Sequence, residues 1–503
     1  MLSNETGEVS AAVLQPVEQA VDPLDVVIVG SGFSGLGAAI QARRCGWHRL
    51  RILEKGDDIG GVWRENTYPG AACDVPWHLY SFSFYKWFGF SRRYPHQPEI
   101  LDYMRCCAKH FGLYDLIEFG AQVREARWDE AGGCWHVEAE DGRWWRARVL
   151  VAGVGQLSRP AWPNILGRKH FGGASYHSAE WDHDVPLEGR RVAVIGTGAS
   201  AIQFVPEVAK VAGHLTVFQR SAPYLLPRLD GDYGLLNRLL FRYVPGYDRP
   251  FRYCLWKLGE VSTDAFDQAD NAVARIFRYV TRLHLERQVP DPELRANKVT
   301  PDYPIGCKRI LFFSDYYPAL QRDNVTLETA GIRAINATGI ETVDGRQHDA
   351  DVLIYATGFR AADFLAPMHV VGRDGAELQE RWRHGAKAYL GMTVPGFPNF
   401  FVMYGPNTNL GGNSIIYMIE CQMRYLDGAL RHLKRVRALA VRQDVFARFN
   451  EELQRRLSQT VWAAGCSSWY QTADGRITNN WPGKTYEYYR RTRHLDPADY
   501  EIA

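Results

Sequence analysis

A strand, a glycine-rich turn and a helix follow one another near the start of the chain, and no other segment constrains the fold as strongly. Residues 26–29 are a β-branched run, Val-Val-Ile-Val, typical of a strand buried on both faces of a parallel sheet. Residues 30–35, Gly-Ser-Gly-Phe-Ser-Gly, follow directly, and the alanine-rich stretch 36–44 predicts a helix. Such a turn lets backbone approach a pyrophosphate and lets the helix pack closely on the strand.

A carboxylate after the next strand indicates which nucleotide the first turn holds. The predicted strand 50–53 is followed by Glu54, about twenty residues after the last glycine of the turn, where an acid can accept hydrogen bonds from a ribose 2′-hydroxyl. A purely structural glycine turn is the alternative, but strand, helix and acid together favour a nucleotide. A free ribose hydroxyl is what FAD offers, so the first turn predicts an FAD site.

The same pattern recurs in the second third of the chain. Residues 191–195, Arg-Val-Ala-Val-Ile, predict a strand, residues 196–201, Gly-Thr-Gly-Ala-Ser-Ala, a turn, and residues 202–211 a helix. The N-terminus of such a helix presents N–H groups and the positive end of a dipole to phosphates. The chain therefore carries two predicted dinucleotide sites.

The second site lacks the acid of the first. Its next predicted strand, 215–218, runs into Gln219, Arg220 and Ser221. A guanidinium pairs in forked geometry with a ribose 2′-phosphate, which a carboxylate would repel. The second turn therefore predicts NADPH, with a solvated surface arginine as the alternative for Arg220. Two such cofactors imply that the nicotinamide reduces the flavin.

These patterns predict an α/β fold with two Rossmann-like dinucleotide-binding domains, the second inserted in the first. Segments 149–153 and 351–358 bracket the second turn and are expected to be the crossings between domains. Between residues 228 and 304 the pattern becomes helical and rich in aromatic residues, with helices expected at 235–243 and 272–285, and we expect an insertion that covers the site. The expected division is 1–24 as a flexible N-terminal tail, 25–155 and 356–503 as the FAD-binding domain, 156–228 and 304–355 as the NADPH-binding domain, and 229–303 as the helical insertion.

Composition argues against several other classes of protein. A chain of 503 residues is too long for one core, and its net charge of +2 gives no electrostatic reason to expect nucleic acid or an anionic membrane as partner. The uncharged stretch 26–42 is shorter than a bilayer span and interrupted by glycines. Nine cysteines without a Cys-x-x-Cys predict a cytoplasmic protein with neither a metal site nor a dithiol centre.

A longer motif before the second turn carries a family resemblance. Residues 170–182, His-Phe-Gly-Gly-Ala-Ser-Tyr-His-Ser-Ala-Glu-Trp-Asp, resemble the F-x-G-x-x-x-H-x-x-x-W-[PD] fingerprint of Baeyer–Villiger monooxygenases. The related flavin-containing monooxygenases that oxidise nitrogen and sulfur have Tyr or Phe where this chain has Trp181. Gly-Gly-Val-Trp at 60–63 and Tyr-Pro-Gly at 68–70, followed by Asp74, are also similar to the family. The resemblance covers nearly the whole chain from Asp25 onward.

The resemblance implies a catalytic pair. Residues 303–309, Tyr-Pro-Ile-Gly-Cys-Lys-Arg, resemble the family segment whose catalytic arginine falls on Arg309. Asp74 is followed by apolar and aromatic residues, among which an ionised carboxylate needs a cationic partner. We therefore expect Asp74 to orient Arg309. The alternative is a solvated basic pair, Lys308 and Arg309, with Asp74 as a turn residue.

Further roles are implied for residues near the two turns. His177 and Trp181 are expected to have structural or domain-motion roles, and Lys308 to reach the 2′-phosphate beside Arg220. Trp469 is expected to close over the nicotinamide nucleotide, unless it only anchors its loop. The expected cofactor-binding residues are Gly30, Gly32, Phe33, Gly35, Glu54, Lys55, Gly61, Trp63, Asp74, Tyr80, Val123, Gly196, Thr197, Gly198, Ala199, Ser200, Arg220, Ser221, Lys308 and Trp469.

The chemistry implied by the resemblance is the conversion of a ketone to an ester or lactone with NADPH and O2 through a C4a-peroxyflavin. A fixed guanidinium suits this reaction because it stays charged and offers several donors to a developing oxyanion. The nearest alternative is an N- or S-oxygenating flavin-containing monooxygenase. A disulfide reductase would need a cysteine pair that Cys73 alone does not provide, and a non-catalytic nucleotide sensor is a third alternative. Asp182 in place of proline, and segment 405–412, resemble a less-studied subgroup and leave the natural ketone open.

Overall fold

The computed structural model describes residues 23–267, 270–465, 468–472 and 474–503. The expected N-terminal tail, 1–24, lies outside the described residues except for its last two, and Leu24 already belongs to the first strand.

The strands are β1 (Leu24–Val29), β2 (Leu50–Leu53), β3 (Ile117–Glu118), β4 (Val123–Asp129), β5 (Cys134–Ala139), β6 (Trp144–Ala152), β7 (Ala174–His177), β8 (Arg191–Ile195), β9 (His214–Phe218), β10 (Leu225–Leu226), β11 (Leu311–Phe312), β12 (Val325–Glu328), β13 (Ile332–Asn336), β14 (Gly339–Thr342), β15 (Gln347–Asp349), β16 (Val352–Tyr355), β17 (His369–Val371), β18 (Phe400–Val402), β19 (Leu439–Val441) and β20 (Tyr500–Ile502).

The α-helices are α1 (Phe33–Arg44), α2 (Val62–Glu65), α3 (Gln97–His110), α4 (Ala199–Val211), α5 (Leu235–Tyr243), α6 (Asp248–Ser262), α7 (Ala272–Gln288), α8 (Pro292–Leu294), α9 (Tyr316–Leu320), α10 (Leu378–Arg381), α11 (Ile415–Leu433), α12 (Gln443–Leu457) and α13 (Thr485–Thr492).

The first sheet is built around β1. Its strand order is β17-β4-β5-β6-β1-β2-β3, with β18 pairing β6, and β1 runs parallel to both β2 and β6. Val26 and Ile28 of β1 belong to one buried cluster, whereas Val27 and Val29 belong to another. Because both faces of β1 are covered, alternate residues supply two cores, which explains the continuous β-branched run.

The second sheet repeats this arrangement on a smaller scale. Its order is β12-β9-β8-β16-β7, and all of its pairings are parallel. Val192 and Val194 of β8 face one cluster, and Ala193 and Ile195 face the other. The predicted α/β fold with two Rossmann-like sheets is confirmed, and the chain crosses between the sheets after β6 and again after β16.

Two helices begin earlier than the sequence predicts. Helix α1 starts at Phe33 rather than residue 36, and α4 starts at Ala199 rather than residue 202. The residues that follow the second glycine, which the sequence assigns to the glycine-rich loop, therefore already belong to the helix. The correction matters because the first backbone N–H groups of each helix have no intrahelical partner and point towards the expected pyrophosphate position.

Three long helices, α5, α6 and α7, lie between β10 and β11, which pair in parallel at the base of this insertion. The sequence predicted α5 and most of α7, whereas α6 was not anticipated. Among the described residues, no helix combines the length and the apolar character needed to cross a bilayer.

Candidate active site

One large cavity connects the two glycine turns. Its volume is about 1800 Å³, and its walls come from the carboxyl ends of β1 and β8, from the loop that carries Asp74, and from helices α6 and α7. Pockets for one drug-sized ligand usually measure roughly 300–1,000 Å³. A cavity of this size has room for two extended nucleotides and a further small molecule.

The glycines of the first turn serve two different purposes. Gly30 has φ +95°, and a Cβ there would lie 2.8 Å from the carbonyl oxygen of Gly153. A Cβ on Gly35 would lie 1.8 Å from the carbonyl oxygen of Gly30, so both glycines are required by the protein's own packing. A Cβ on Gly32 would approach only the Cα of Gly61, at 3.9 Å, and would point into space at the cavity wall.

Gly35 has a packing role in this structure. It does not belong to the cavity wall formed by the described residues, and it acts by letting α1 pack on β1. The other expected cofactor-binding residues do line this cavity.

Glu54 is buried at the carboxyl end of β2 and already holds several donors. Its Oε2 accepts from the backbone N–H and the hydroxyl of Ser31, at 2.9 and 2.6 Å. Its Oε1 accepts from the Gly56 N–H at 2.9 Å and from Nη1 of Arg64 at 3.1 Å. A ribose hydroxyl would have to share or replace one of these donors, of which the rotatable Ser31 hydroxyl is the simplest to move.

An aromatic wall lies beside the first turn. Phe33 and Tyr80 meet edge to face with ring centroids 5.5 Å apart, and Tyr80 and Trp63 do so at 5.6 Å. Trp63 Nε1 donates to the Tyr80 hydroxyl at 3.0 Å, which fixes both rings. Lys55 is paired with Glu65 at 2.8 Å, at the exposed end of the same region.

The second turn is similar in backbone but more open. Gly196 has φ +112°, and a Cβ there would lie 2.4 Å from the carbonyl oxygen of Ala356. Nothing lies within 4 Å of a Cβ built on Gly198. The hydroxyl of Thr197 donates to the carbonyl of Ser221 at 3.2 Å, which ties the turn to the end of β9.

Two cations flank this second turn. Arg220 is exposed at the cavity wall, and Lys308 Nζ donates to the Ser221 hydroxyl at 2.8 Å. Burial lowers the pKa of Lys308, and the positive charge of Arg220 lowers it further. Two like charges within electrostatic reach of each other stabilise an anion placed between them.

Asp74 and Arg309 meet in the same cavity, although 235 positions separate them in the chain. Nη2 of Arg309 donates to Oδ2 of Asp74 at 2.7 Å, and Nε donates to the same oxygen at 3.2 Å. The Asp74 carboxylate raises the pKa of Arg309 above its ordinary value. A solvated basic pair, the alternative considered from the sequence, does not describe this half-buried geometry.

Two tyrosines near Arg309 were not singled out from the sequence. Tyr404 lines the cavity and its hydroxyl donates to Oδ1 of Asn409 at 2.8 Å. Tyr470 is buried and contacts Trp469 in a tilted arrangement with ring centroids 4.4 Å apart. Burial raises the pKa of Tyr470 to about 12, although the nearby Arg309 charge acts in the opposite direction. Only the glycine-rich segment 405–412, noted as a subgroup feature, hinted at Tyr404.

Gln203 of α4 is a third residue that the sequence analysis missed. Its Oε1 accepts from the Tyr68 hydroxyl at 3.1 Å and from the Ala72 N–H at 3.2 Å, and its Nε2 donates to the Ala72 carbonyl at 3.0 Å. These bonds join the second dinucleotide fold to the loop that leads to Asp74. A lone amide among the apolar residues of α4 was the available signal.

The fingerprint residues pack rather than face reactants. Trp181 contacts Tyr68 and Phe204, with ring centroids 6.4 and 5.2 Å apart, so it lies where the two dinucleotide folds meet. His177 is buried, and its Nδ1 accepts from the Ala179 N–H at 3.1 Å. Burial lowers the pKa of His177 to about 4, which keeps the ring neutral near neutral pH.

The chain is similar over most of its length to several known proteins. Residues 24–243 match the family model described as flavin-binding monooxygenase-like. The chain is 43% identical over 492 residues to a Baeyer–Villiger monooxygenase of Pseudomonas aeruginosa, which covers 97% of this chain and 93% of that protein.

Two solved structures match almost the whole chain. An oxidised steroid monooxygenase bound to NADP superposes with a TM-score of 0.84 at 31% identity, over 95% of this chain and 99% of that one. The complex of OTEMO with FAD and NADP superposes with a TM-score of 0.85 at 26% identity, with the same coverage. Both resemblances include the two sheets and the insertion that together surround the cavity.

Proposed function

This chain belongs to the Baeyer–Villiger monooxygenases, and from that membership we propose that Arg309, held by Asp74, stabilises the oxyanion formed while a ketone is oxidised. The enzyme uses FAD and NADPH and converts a ketone to an ester or lactone with O2. The observation that carries the proposal is the pair of hydrogen bonds from Arg309 to one Asp74 oxygen inside the common cavity.

The residues of both turns fit the two cofactors. Gly32 and Gly198 each leave open the space that a side chain would fill, at the N-termini of α1 and α4. We assign the first turn, with Glu54, Phe33, Trp63 and Tyr80, to FAD. The second turn, with Arg220, Ser221 and Lys308, is assigned to NADPH, because its two cations match a 2′-phosphate.

FAD, when bound and reduced by NADPH, supplies the activated oxygen. The part of Arg309 is electrostatic: two of its N–H groups are fixed by Asp74, and the remaining donors are available to an oxygen that gains negative charge. Asp74 holds the guanidinium in one orientation, so no reorganisation is needed when the charge develops. Trp469 lines the same cavity and its ring contacts that of Tyr470, and we assign the two residues the exclusion of water.

The substrate we propose is a ketone with a substantial apolar body. The cavity wall contributed by the insertion includes Leu255, Val261, Ile276 and Phe277, and α11 adds Ile416. Apolar walls select their ligands by burying surface rather than by directed hydrogen bonds. We retain 25–155 with 356–503 as the FAD-binding domain, 156–228 with 304–355 as the NADPH-binding domain, 229–303 as the insertion, and a cytoplasmic location.

Turnover of a ketone panel with labelled O2 tests the proposal directly. Arg309→Ala should keep FAD and continue to oxidise NADPH, while ester formation falls about a hundredfold or more, because an oxyanion donor contributes roughly 3–4 kcal/mol to the transition state. Asp74→Asn should lower ester formation less, since the guanidinium remains but is no longer anchored. Arg105 offers a matched control. Its guanidinium pairs with the Asp58 carboxylate at 2.7 Å, and Arg105 does not line the cavity.

Two outcomes would contradict the assignment. Normal ester formation by Arg309→Ala would remove Arg309 from the reaction. Labelled sulfoxide without any labelled ester from the wild-type enzyme, over the whole ketone panel, would instead favour the N- or S-oxygenating alternative.

A further inference from the structure

Tyr404 has an unusual backbone conformation at the edge of the first sheet. It follows β18, which runs parallel to β6, so it lies at the carboxyl ends of the strands, where the first glycine turn also lies. Its φ is +55°, in the left-handed region that residues other than glycine rarely adopt. Such a conformation persists only where the surrounding structure holds it, and residues of this kind are concentrated at active sites.

Two buried glutamines hold this backbone in place. The N–H of Tyr404 donates to Oε1 of Gln422 at 2.7 Å, and its carbonyl oxygen accepts from Nε2 of Gln156 at 3.1 Å. Both glutamines are buried, and Gln422 is completely so. Both backbone polar groups of the strained residue therefore have buried partners, and Tyr404 is held at the cavity wall.

The Tyr404 side chain lies close to the proposed catalytic pair. Burial raises the pKa of Tyr404, and the nearby charge of Arg309 acts in the opposite direction. Burial also raises the pKa of Tyr80, in the aromatic wall assigned to FAD, and Tyr404 is among the groups near enough to raise it further. A tyrosine with a raised pKa keeps its proton at neutral pH, so Tyr404 acts through hydrogen bonds and not as a base.

The Tyr404 hydroxyl begins a chain of hydrogen bonds through two asparagines. It donates to Oδ1 of Asn409 at 2.8 Å, and Nδ2 of Asn409 donates to Oδ1 of Asn480 at 2.7 Å. The chain ends at Nδ2 of Asn480, which has no partner among the described residues. A buried donor without a partner is costly, so an arrangement that pairs it competes with the one shown.

The chain can run in the opposite direction with the same contacts. An amide turned by 180° about its last bond exchanges oxygen and nitrogen and keeps its shape. With both amides turned, Asn480 donates to Asn409, Asn409 donates to the Tyr404 oxygen, and the hydroxyl hydrogen of Tyr404 is free to point into the cavity. Within the described part of the chain, neither amide side chain has another hydrogen bond that the turn would break.

We propose that Tyr404 is a second hydrogen-bond donor, beside Arg309, to the carbonyl oxygen of the ketone as that oxygen gains negative charge. The proposal rests on the function proposed above for Arg309 and Asp74. No bond to Tyr404 forms or breaks, and its proton stays on the hydroxyl. Arg309 contributes charge, whereas the hydroxyl of a fixed ring contributes direction, so the two donors together define where the carbonyl oxygen lies.

Tyr404→Phe tests the proposal, because it removes one oxygen atom and keeps the ring. Ester formation from a ketone panel with labelled O2 should fall about tenfold to a hundredfold, in kcat with KM unchanged, since a donor to the developing charge is lost. Oxidation of a sulfide to labelled sulfoxide should be unchanged, because that reaction creates no negative charge on a carbonyl oxygen. FAD content and the rate of flavin reduction by NADPH should also be unchanged.

Tyr488→Phe is the matched control. Tyr488 is a buried tyrosine of α13 whose hydroxyl donates to the Leu390 carbonyl at 2.7 Å, and it does not line the cavity. This variant loses a buried, hydrogen-bonded hydroxyl as Tyr404→Phe does, and it should form ester at the wild-type rate.

The outcomes separate Tyr404 from the function on which its role rests. Ester formation at the wild-type rate by Tyr404→Phe would show that Tyr404 is not a donor, while the role of Arg309 would stand. A loss of ester formation matched by an equal loss of sulfoxide formation or of flavin reduction would make Tyr404 a structural residue and overturn the proposal. If the wild type forms no ester from any ketone, the proposed function fails, and the role of Tyr404 fails with it.

Discussion

The two glycine turns of this enzyme share a backbone plan but differ in charge. Glu54 after β2 and Gln219 after β9 occupy corresponding positions, and the N–H of each donates to a carbonyl of the adjacent strand, from Glu118 and Glu328. Glu54 is buried and ionically paired with Arg64, whereas Gln219 is neutral and followed by the exposed Arg220. Close packing fixes the backbone of both turns, and in the proposed assignment the side chains at the strand end select the nucleotide.

The turns also differ in how enclosed they are. A Cβ on Gly32 would be 3.9 Å from Gly61, whose loop covers the first turn, while a Cβ on Gly198 meets nothing within 4 Å. An enclosed site suits a cofactor that stays through many turnovers, and an open one suits a nucleotide that must enter and leave. The comparison therefore predicts that equivalent changes at the two turns have different kinetic consequences.

The pair of variants Gly32→Ala and Gly198→Ala should show the largest difference. Both glycines have φ near −75° and room for a methyl group, so the fold should tolerate either change within about 1 kcal/mol. The methyl group of Gly32→Ala should displace FAD and weaken its retention about a hundredfold, by overpacking and a lost phosphate contact. Gly198→Ala should retain FAD but raise the KM for NADPH by a similar factor.

Flavin content after gel filtration and steady-state kinetics with added FAD would separate the two effects. Each variant is the control for the other. If Gly198→Ala lost FAD, or if Gly32→Ala changed only the KM for NADPH, the assignment of cofactors to turns would be reversed.

The first turn could be predicted in more detail than the second because its chemistry is local. Strand, glycines and Glu54 are close in sequence and have fixed spacing, so FAD and the first sheet followed from the residues. The pattern does not distinguish a glycine that faces a ligand from one that faces a strand, so it did not reveal the packing role of Gly35. The structure separates them by the 1.8 Å approach of a Gly35 Cβ to the Gly30 carbonyl.

Contacts over long sequence distances were the part that sequence could not provide unaided. Asp74 and Arg309 were paired only through the family resemblance, since no periodicity links residues so far apart. Gln203 and Tyr404 were missed because each acts through tertiary partners, Ala72 and Asn409 respectively. Helix α6 was missed because its apolar residues are not buried in a core and several of them line the cavity, so its pattern does not predict a core-facing helix.

Glu54→Gln gives the first turn the residue type that the second turn has. The amide cannot accept from both Ser31 and Gly56 in the way a carboxylate does, and Arg64 loses its buried partner. We expect a loss of about 2 kcal/mol in FAD binding and stability together, since one buried donor or charge is left unsatisfied. Thermal unfolding followed by flavin fluorescence would measure it, and an unchanged midpoint with full FAD content would show that the carboxylate is dispensable.

Arg220→Ala removes the charge that distinguishes the second turn. The KM for NADPH should rise about tenfold, with that for NADH unchanged, because an exposed arginine is partly screened and contributes less than a buried one. The difference should shrink at high salt. Arg333→Ala is the control, because Arg333 is an exposed arginine of β13 that pairs with Glu341. Equal effects on both nucleotides would mean that Arg220 does not contact the 2′-phosphate.

The smallest expected effect concerns stability at low pH. The two dinucleotide folds should lose stability alike as the pH falls, despite their different charges. Burial lowers the pKa of two histidines to about 4: His177, at the end of β7 in the second sheet, and His78, in the FAD-binding part of the chain. An unfolded histidine has a pKa of about 6.5, so the unfolded chain binds more protons in this range and stability falls as pH drops below that value. Each ring should therefore cost about 1 kcal/mol between pH 7.5 and 6. The test measures the free energy of unfolding in urea at both pH values. In His177→Asn, whose amide oxygen can still accept from the Ala179 N–H, the loss of stability between the two pH values should be smaller by the contribution of this one ring. If the variant and the wild type lose the same stability over this interval, His177 takes up its proton as readily in the folded enzyme as in the unfolded chain, and the neutral, structural role assigned to it is wrong.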